Sequence, residues 1–438
     1  MSDEKIGLSR KILNKTRMKF GVGNLLYNGD EAAFSPFHTI IVRMLGGTDA
    51  HLGFIGGAMQ SMGPLFSWIG AVLLKIFRYN RKAMMFALAV GAIVQAVIVT
   101  LLVLASRNSA MATPFLYAYL GLITLMSMLT GMQQTISVSW IGDLVPVHQR
   151  GWFVSAMQII SNVGLILLQL IFAKLSTHAT GFIACAGLMG LVFLNTVVAF
   201  FLFRTVPNCP SYAVNFLSGK KGDRIDYKYT PMWLLVWFQC AWSGGRVSLN
   251  AFSVAYMIDY FGFNLKKIIL FQMTVNVVNL FMLYFMGRLS DRKGIRRPLM
   301  IISAACGMSM LLWVSSAWWG AWPLFLYFVI NGAAGSTHWM LVNNLSLEAY
   351  PAKGRPNFLS FSRTVCGLFL MMASTAAGFA MGGIRGWSIT LWGSEFNHYH
   401  IFFLGCTAVT ITCLLPIWLL GKVKLPEPDG PGKETVTI

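Results

Sequence analysis

The chain has 438 residues, of which 56% are hydrophobic and only 11% are charged, and its mean hydropathy is +0.63. This composition excludes a water-soluble globular domain, in which about a quarter of the residues are normally charged. The net charge of +19 would suit a nucleic-acid partner, but the positions of the cations along the chain argue against nucleic acid.

Twelve apolar segments, each long enough to cross ~30 Å of hydrocarbon as a helix, follow one another along the chain. The first six lie near 20–44, 53–77, 83–105, 115–141, 152–174 and 181–203. The second six lie near 231–258, 268–287, 298–317, 322–347, 357–381 and 401–420. The sequence therefore predicts an all-α polytopic membrane protein with twelve transmembrane helices, six in each half.

The cations cluster before the first span, after the second, in the linker between the sixth and seventh, and after the eighth. By the positive-inside rule, this pattern predicts that both termini and the linker are cytoplasmic. The basic amino-terminal segment leads into a full-length span, so we expect no cleavable signal peptide. We predict an amino-terminal bundle over 1–205, a cytoplasmic linker over 206–230 and a carboxy-terminal bundle over 231–438.

A loop pattern that occurs twice supports the division into two related halves. The sequence DLVPVHQR runs from Asp143 to Arg150, and EAYPAKGR runs from Glu348 to Arg355. Each is an acid followed by Pro after three residues and by Arg after four more, at the end of an apolar segment. Paired repeats of several helices are a common way to build transporters.

A third loop, GRLSDRKGIRR from Gly287 to Arg297, carries a specific resemblance to a known family. It is similar to the major facilitator superfamily signature, Gly-x-x-x-Asp-Arg-x-Gly followed by paired basic residues, between the second and third helices of each half. The resemblance covers essentially the whole chain and implies two pseudo-symmetric six-helix bundles, a central cavity and a monomer. The first half departs from the signature, because Phe77 replaces the acid and Asn80 replaces the second glycine.

Acids and bases at the helix ends of these loops are candidates for gating. Ion pairs there would hold one conformation shut and break when the halves rock. The predicted gating residues are Asp143, Arg150, Asp291, Arg292, Glu348 and Arg355. For Arg296 and Arg297 we prefer the simpler role of setting the topology.

A polar stripe runs along span 1, and the same pattern recurs in span 7 at a shift of 215 positions. The stripe in span 1 consists of Asn24, Asn28, Glu31, Ser35 and His38, and that in span 7 consists of Gln239, Ser243, Arg246, Asn250 and Ser253. Ionisable groups in hydrocarbon cost a few kcal/mol each, so they are functional candidates. The resemblance implies that Glu31 and Arg246 approach each other across the cavity; a static ion pair between the halves is the structural alternative.

Spans 4, 10 and 11 add further polar residues at similar depths. The predicted substrate-binding residues are Asn24, Asn28, Gln133, Gln134, Trp140, Gln239, Arg246, Asn250, Asn331, His338 and Arg363. For Arg363 the alternative is a side chain that snorkels to the surface. Glu31 is the predicted proton carrier, and Asp30, about 100° away on the helix, is predicted to support it.

These features predict a secondary active transporter that moves a small polar solute, such as a sugar, sugar acid or organic anion. We expect it to be a proton symporter that works by alternating access. The alternatives are a drug or metabolite efflux antiporter, disfavoured because span 5 lacks a Gly-Pro-rich pattern, and a transporter-like receptor that does not transport. No catalytic motif suggests an enzyme. We expect the protein to lie in a prokaryotic inner membrane and to need no cofactor. We also expect no metal site, because no second cluster would complete the coordination shell of Glu395, His398 and His400.

Overall fold

The computed structural model describes residues 10–26, 30–108, 111–145, 147–175, 181–208, 227–293, 295–350 and 355–423. Within these ranges the chain forms long helices that run back and forth and one short hairpin. The helices are α1 Arg10–Asn24, α2 Asp30–Met44, α3 Asp49–Phe77, α4 Asn80–Arg107, α5 Ala112–Leu144, α6 Val147–Leu175, α7 Phe182–Arg204, α8 Thr230–Asp259, α9 Leu265–Lys293, α10 Arg296–Ser309, α11 Leu311–Trp319, α12 Trp322–Ala349, α13 Arg355–Gly383, α14 His398–Ile411 and α15 Leu414–Leu420; the strands are β1 Ser388–Leu391 and β2 Ser394–Asn397.

These elements confirm the predicted twelve spans in two bundles, although three spans consist of two helices each. Eight helical stretches in the described ranges are long and apolar enough to cross a membrane by length and composition alone. We call the face at which α1 begins and α15 ends the terminal face, and the opposite one the far face. The predicted bundle and linker boundaries remain predictions.

The first span differs from its prediction because helix α1 begins at Arg10 and not near residue 20. Its extra turns are anchored, since the Lys19 ammonium donates to the Thr205 carbonyl oxygen at 3.1 Å. Leu25 and Leu26, which directly follow Asn24, form a wider π-type turn. Such turns are often found at functional sites. The span is therefore not a regular helix at the point where the polar stripe enters it.

Spans 9 and 12 are each divided into two helices, at Met310 and at Thr412–Cys413. The Ser309 hydroxyl donates to the Cys306 carbonyl oxygen at 2.7 Å, and the Thr410 hydroxyl donates to the Cys406 carbonyl oxygen at 2.9 Å. A hydroxyl that bonds back to its own helix competes with the backbone ladder and commonly bends it. Both hydroxyls lie just before the break between the two helices of their span.

Close approaches of helix α3 to its neighbours depend on glycine. In the amino-terminal bundle Gly63 faces Gly131 of α5 so closely that a Cβ at Gly131 would lie 2.1 Å from the Gly63 carbonyl oxygen. On the surface of α3 that faces the other bundle, a Cβ at Gly53 would lie 2.5 Å from the Ser374 carbonyl oxygen of α13. Small residues let backbones approach closely in membranes. One helix thus packs within its own bundle and against the other.

The buried apolar clusters differ between the two faces of the protein. Near the far face a single cluster of buried side chains crosses from one bundle to the other, and it includes Leu52, Phe172, Phe252 and Phe403. Near the terminal face the two bundles have separate clusters, one around Trp140 and one around Trp242, Tyr350 and neighbouring residues. Among the described residues, the apolar cluster that both bundles share therefore lies toward the far face. The helices α3 and α13 also approach each other further in, where a Cβ at Gly367 would lie 3.0 Å from the Ser61 carbonyl oxygen.

The segment between α13 and α14 forms a hairpin on the far face. Strands β1 and β2 pair antiparallel with Leu391 opposite Ser394, so Trp392 and Gly393 form a two-residue turn with φ of 49° and 80°. Positive φ at both positions is typical of a type I′ turn, which suits glycine. Asn397 then caps α14, because its side chain accepts from the Tyr399 backbone N–H at 3.1 Å.

A candidate solute site between helices α8 and α12

Arg246 lies near the middle of α8 and is held by two neighbours. Its Nη2 donates to the Asn331 Oδ1 of α12 at 2.5 Å. Its guanidinium carbon lies 4.9 Å from the centre of the Trp242 ring, one helical turn earlier on α8. A cation over an indole face is attracted by the ring quadrupole. The guanidinium is therefore fixed in position, and it is half-buried.

His338 completes the cluster from α12. Its ring stacks on Trp242 with the ring centres 3.9 Å apart and the planes at 13°, and Phe238 lies 5.4 Å away. Asn331 and His338 are seven residues apart, about two turns, so both project from one face of α12. Three residues predicted from the sequence, Arg246, Asn331 and His338, therefore lie in one cluster.

Two polar nitrogens of this cluster are buried without a hydrogen-bond partner among the described side chains: Arg246 Nε and His338 Nε2. Buried polar groups in proteins are nearly always bonded, and an unpaired one costs ~1–3 kcal/mol. A polar ligand with hydrogen-bonding groups of its own would complete these two atoms beside the half-buried charge of Arg246. We therefore regard the cluster of Trp242, Arg246, Asn331 and His338 as the candidate solute site, and call it the central cluster.

The predicted residues of the amino-terminal bundle occupy different surroundings. Gln133 donates to the Ala87 carbonyl oxygen of α4 at 3.2 Å, and Trp140 donates to the Pro207 carbonyl oxygen at 3.2 Å while packing edge-on against Phe20. Both are buried. The first contact joins two helices of one bundle, and the second joins α5 to the residues that directly follow α7. Their geometry favours a packing role over the predicted role in substrate binding.

Five other predicted residues lie apart from the described contacts of the central cluster. Asn24 is buried and its amide donates to the Met157 sulfur at 3.0 Å, while Gln239 accepts a weak bond from the Cys366 thiol at 3.7 Å. Gln134 and Asn250 are exposed. Arg363 is also exposed on the terminal half of α13, which suits either cavity solvent or the snorkelling alternative. Their roles stay predictions.

Several predicted residues cannot be placed because they fall outside what the structure describes. Asn28 lies outside the described residues altogether, and for the others only the helical backbone is described. These are the proton-coupling candidates Asp30 and Glu31 and the gating candidates Asp143, Arg150, Asp291, Arg292, Glu348 and Arg355. The expected approach of Glu31 to Arg246 is therefore untested.

A second charged cluster, which the sequence did not predict, joins the two bundles at the far face. Arg43 of α2 pairs with Asp49 of α3 at 2.8 Å and reaches Asp259 of α8 at 3.6 Å. Arg385, beyond α13, reaches the other oxygen of Asp49 at 3.8 Å. Each bundle thus contributes one acid and one base to the cluster. We call its pairs, formed by Arg43, Asp49, Asp259 and Arg385, the far-face ion pairs.

The surroundings of the far-face ion pairs are partly enclosed. Asp49 is only 3% exposed, whereas Arg385 is 59% exposed. Tyr399 of α14 donates its hydroxyl to the Asp259 carboxylate at 2.7 Å. A cavity of about 170 Å³ lies among these groups, lined also by Tyr260, Asn397 and His398. Asp49, which has two basic partners, is therefore the most buried acid of the far-face ion pairs.

Similarity to known proteins agrees with this architecture. The family profile described as the Major Facilitator Superfamily matches residues 20–374. No curated protein matches the chain in sequence. Many solved structures share its fold, among them three transporters. A mutant form of the nucleoside transporter NupG is 11% identical, with 93% of this chain and 99% of that chain covered and a TM-score of 0.73. A D-xylose-proton symporter is 15% identical, with 94% and 97% covered and a TM-score of 0.70.

The third structure is the xylose transporter XylE from E. coli in a partially occluded inward open conformation. It is 14% identical to this chain, with 95% of this chain and 100% of that chain covered and a TM-score of 0.69. At such identities these structures show the fold alone.

Proposed function

The chain belongs to the major facilitator superfamily, and from that premise we propose that it is a proton-coupled symporter for a small polar solute, which it moves across a cell membrane by alternating access. It is a multi-pass membrane protein with a transporter fold and is not an enzyme. We further propose that it works as a monomer in a prokaryotic inner membrane, with both termini in the cytoplasm.

The central cluster is the observation that carries this proposal. A fixed arginine at mid-helix, surrounded by Trp242, Asn331 and His338, lies beneath the face at which the bundles are packed together. Charge within a membrane is costly and marks solute or ion pathways. A polar site beneath a face at which the two bundles share a buried apolar cluster suits one of the two states that alternating access requires.

Proton coupling is supported by the position of Glu31 in the chain. It is the second residue of helix α2, which forms the second part of the first span. A carboxylate at such a depth has competing influences on its pKa, from desolvation and from any nearby arginine, and such a group can exchange a proton between two states. One proton moving down 100 mV releases ~2.3 kcal/mol, enough to concentrate a solute more than tenfold.

Replacing Glu31 by glutamine is expected to abolish uptake driven by a pH gradient while leaving solute exchange between two equal pools intact. Glutamine keeps the size and polarity of the side chain but carries no exchangeable proton at neutral pH. The measurement is uptake of radiolabelled solute into proteoliposomes, with and without an imposed pH gradient. Asp30→Asn is the matched control and should retain gradient-driven uptake. Gradient-driven accumulation by Glu31→Gln at the wild-type level would place the proton elsewhere.

The far-face ion pairs are proposed to act as a gate that opens when the bundles rock. Opening the far face would separate Arg43 from Asp259 and Asp49 from Arg385, since each pair has one member in each bundle. Exposed ion pairs are each worth only ~0.2–1 kcal/mol, but the burial of Asp49 reduces its screening by water. The pairs therefore adjust the balance between states and do not lock it.

Asp49→Asn is expected to make the far face more accessible by about fivefold, with Arg385→Gln giving a smaller increase. Because both variants remove the same cross-bundle pair, the double variant should show less than the sum of the two free-energy changes. The measurement is the labelling rate of a cysteine placed at the buried Ala377 of α13, in a background without native cysteines, by a membrane-impermeant maleimide. Strictly additive effects would mean that the two residues act separately.

A further inference from the structure

We propose that the solute recognised at the central cluster carries a carboxylate or an equivalent anionic group, bound by Arg246. This inference rests on the proposed function, because it assigns a chemical class to the solute of the same site. It depends on three observations: which groups hold the guanidinium, which hydrogen-bonding atoms they leave free, and where the described acids lie.

The two neighbours of Arg246 orient its charge without neutralising it. Asn331 is uncharged, and Trp242 offers a ring face. All described ion pairs are at the far face, and the acids whose side chains are described, Asp49, Asp259 and Glu395, all lie there too. Among the described side chains, the arginine therefore has a fixed position and an unbalanced charge.

The free hydrogen-bonding atoms of the pair formed by Arg246 and Asn331 are mostly donors. Arginine has donors alone, so the Asn331 amide must turn its oxygen toward the guanidinium and its N–H groups away from it. Arg246 Nε–H is buried without a partner. His338 Nε2, also unpartnered and buried at 8% exposure, offers a donor or an acceptor according to its tautomer. The pair thus presents several donors and one positive charge.

A carboxylate matches such a surface best. Its two oxygens accept bonds from a guanidinium in the planar, paired geometry that lysine cannot provide. A cation would be repelled by Arg246 and would find no described acid to balance it. A neutral sugar could use the donors, but it would bring no negative charge to Arg246, so it should bind more weakly than the corresponding sugar acid.

The test is thermal unfolding of the purified full-length protein with matched pairs of probes. The pairs are D-gluconate with D-glucose, D-galacturonate with D-galactose, and nicotinate with nicotinamide, and tetraphenylphosphonium serves as a hydrophobic cation. A ligand that binds the native state must raise its apparent stability. We expect at least one acid to raise the unfolding temperature and to bind about tenfold or more tightly than its neutral partner.

Two variants define the site. Arg246→Gln should abolish the preference for the acid, while Arg297→Gln, which removes an exposed cation at the start of α10, should keep it. Equal stabilisation by neutral partners, stabilisation by the cation alone, an acid effect that survives Arg246→Gln, or a panel in which no acid acts would each overturn the inference.

Uptake of the stabilising probe into proteoliposomes separates this inference from the proposed function. Arg246-dependent binding of an acid with no uptake would reject the transport proposal and leave the anion assignment standing. Uptake of a neutral or cationic solute with no acid binding would leave transport standing and reject the assignment.

Discussion

Replacing Gly53 by alanine is expected to shift the protein toward a state with an open far face. A Cβ at Gly53 would lie 2.5 Å from the Ser374 carbonyl oxygen and 2.7 Å from the Gly378 Cα, both in the backbone of α13. Backbone atoms cannot rotate away as a side chain can, so α3 and α13 must separate. Overpacking of this kind costs ~1–3 kcal/mol, which corresponds to a population change of about fivefold to more than a hundredfold.

The cysteine reporter at Ala377 measures this shift as an increased rate of labelling from the far face. Two matched variants separate conformational change from damage to the fold. Gly131→Ala introduces a clash within the amino-terminal bundle, with Gly63, and should lower thermal stability without raising the labelling rate. Gly121→Ala places its methyl group in open space and should change neither. Unchanged labelling in Gly53→Ala would show that this contact does not control the far face.

Replacing Arg246 by alanine is expected to abolish solute transport without lowering stability. Arg246 and the anionic group of the proposed solute would form a buried, hydrogen-bonded charge pair. Truncating one partner of such a pair costs ~2–5 kcal/mol, which corresponds to a loss of solute affinity of about thirtyfold or more. A charged side chain at the centre of a membrane helix costs ~2.5–3.5 kcal/mol on insertion scales. Removal of the charge should therefore leave the unfolding temperature of the solute-free protein unchanged or higher.

Transport by the Arg246 variants is measured as initial uptake rate against solute concentration in proteoliposomes. Arg246→Lys retains the charge but loses the planar pair of donors, so we expect intermediate transport with weaker apparent affinity. Asn331→Leu removes the group that holds the guanidinium, and we expect it to weaken solute binding less than Arg246→Ala does. Wild-type uptake by Arg246→Ala would remove the central cluster from the solute pathway.

The sequence predicts the number and order of the spans well, because the thickness of the bilayer sets the length of each apolar segment. It also identifies Arg246, Asn331 and His338 as candidate site residues, because charged or polar residues stand out in an apolar helix. Trp242 was missed because an aromatic residue gives no such contrast. Its position four residues before Arg246, on the same helical face, was the available signal.

Other features depend on tertiary contacts that spacing along one helix does not contain. Gln133 and Trp140 look like cavity residues by depth, yet the Gln133 amide nitrogen donates to a carbonyl oxygen of α4 and the Trp140 indole N–H donates to the Pro207 carbonyl oxygen just beyond α7. The far-face ion pairs join residues as distant along the chain as Asp49 and Arg385. Their partners are defined only when α3 and α13 pack, and the positive-inside rule assigns these cations no partner.

Alternating access by the two bundles is the central claim, and paired distance measurements by electron spin resonance test it most directly. Spin labels at Arg107 and Trp392 span the far face, and labels at Tyr79 and Arg297 span the terminal face; all four positions are exposed. We predict that, when a transported solute is added, the far-face distance and the terminal-face distance change in opposite directions. Distances that stay fixed at both faces, or that change in the same direction, would contradict the account.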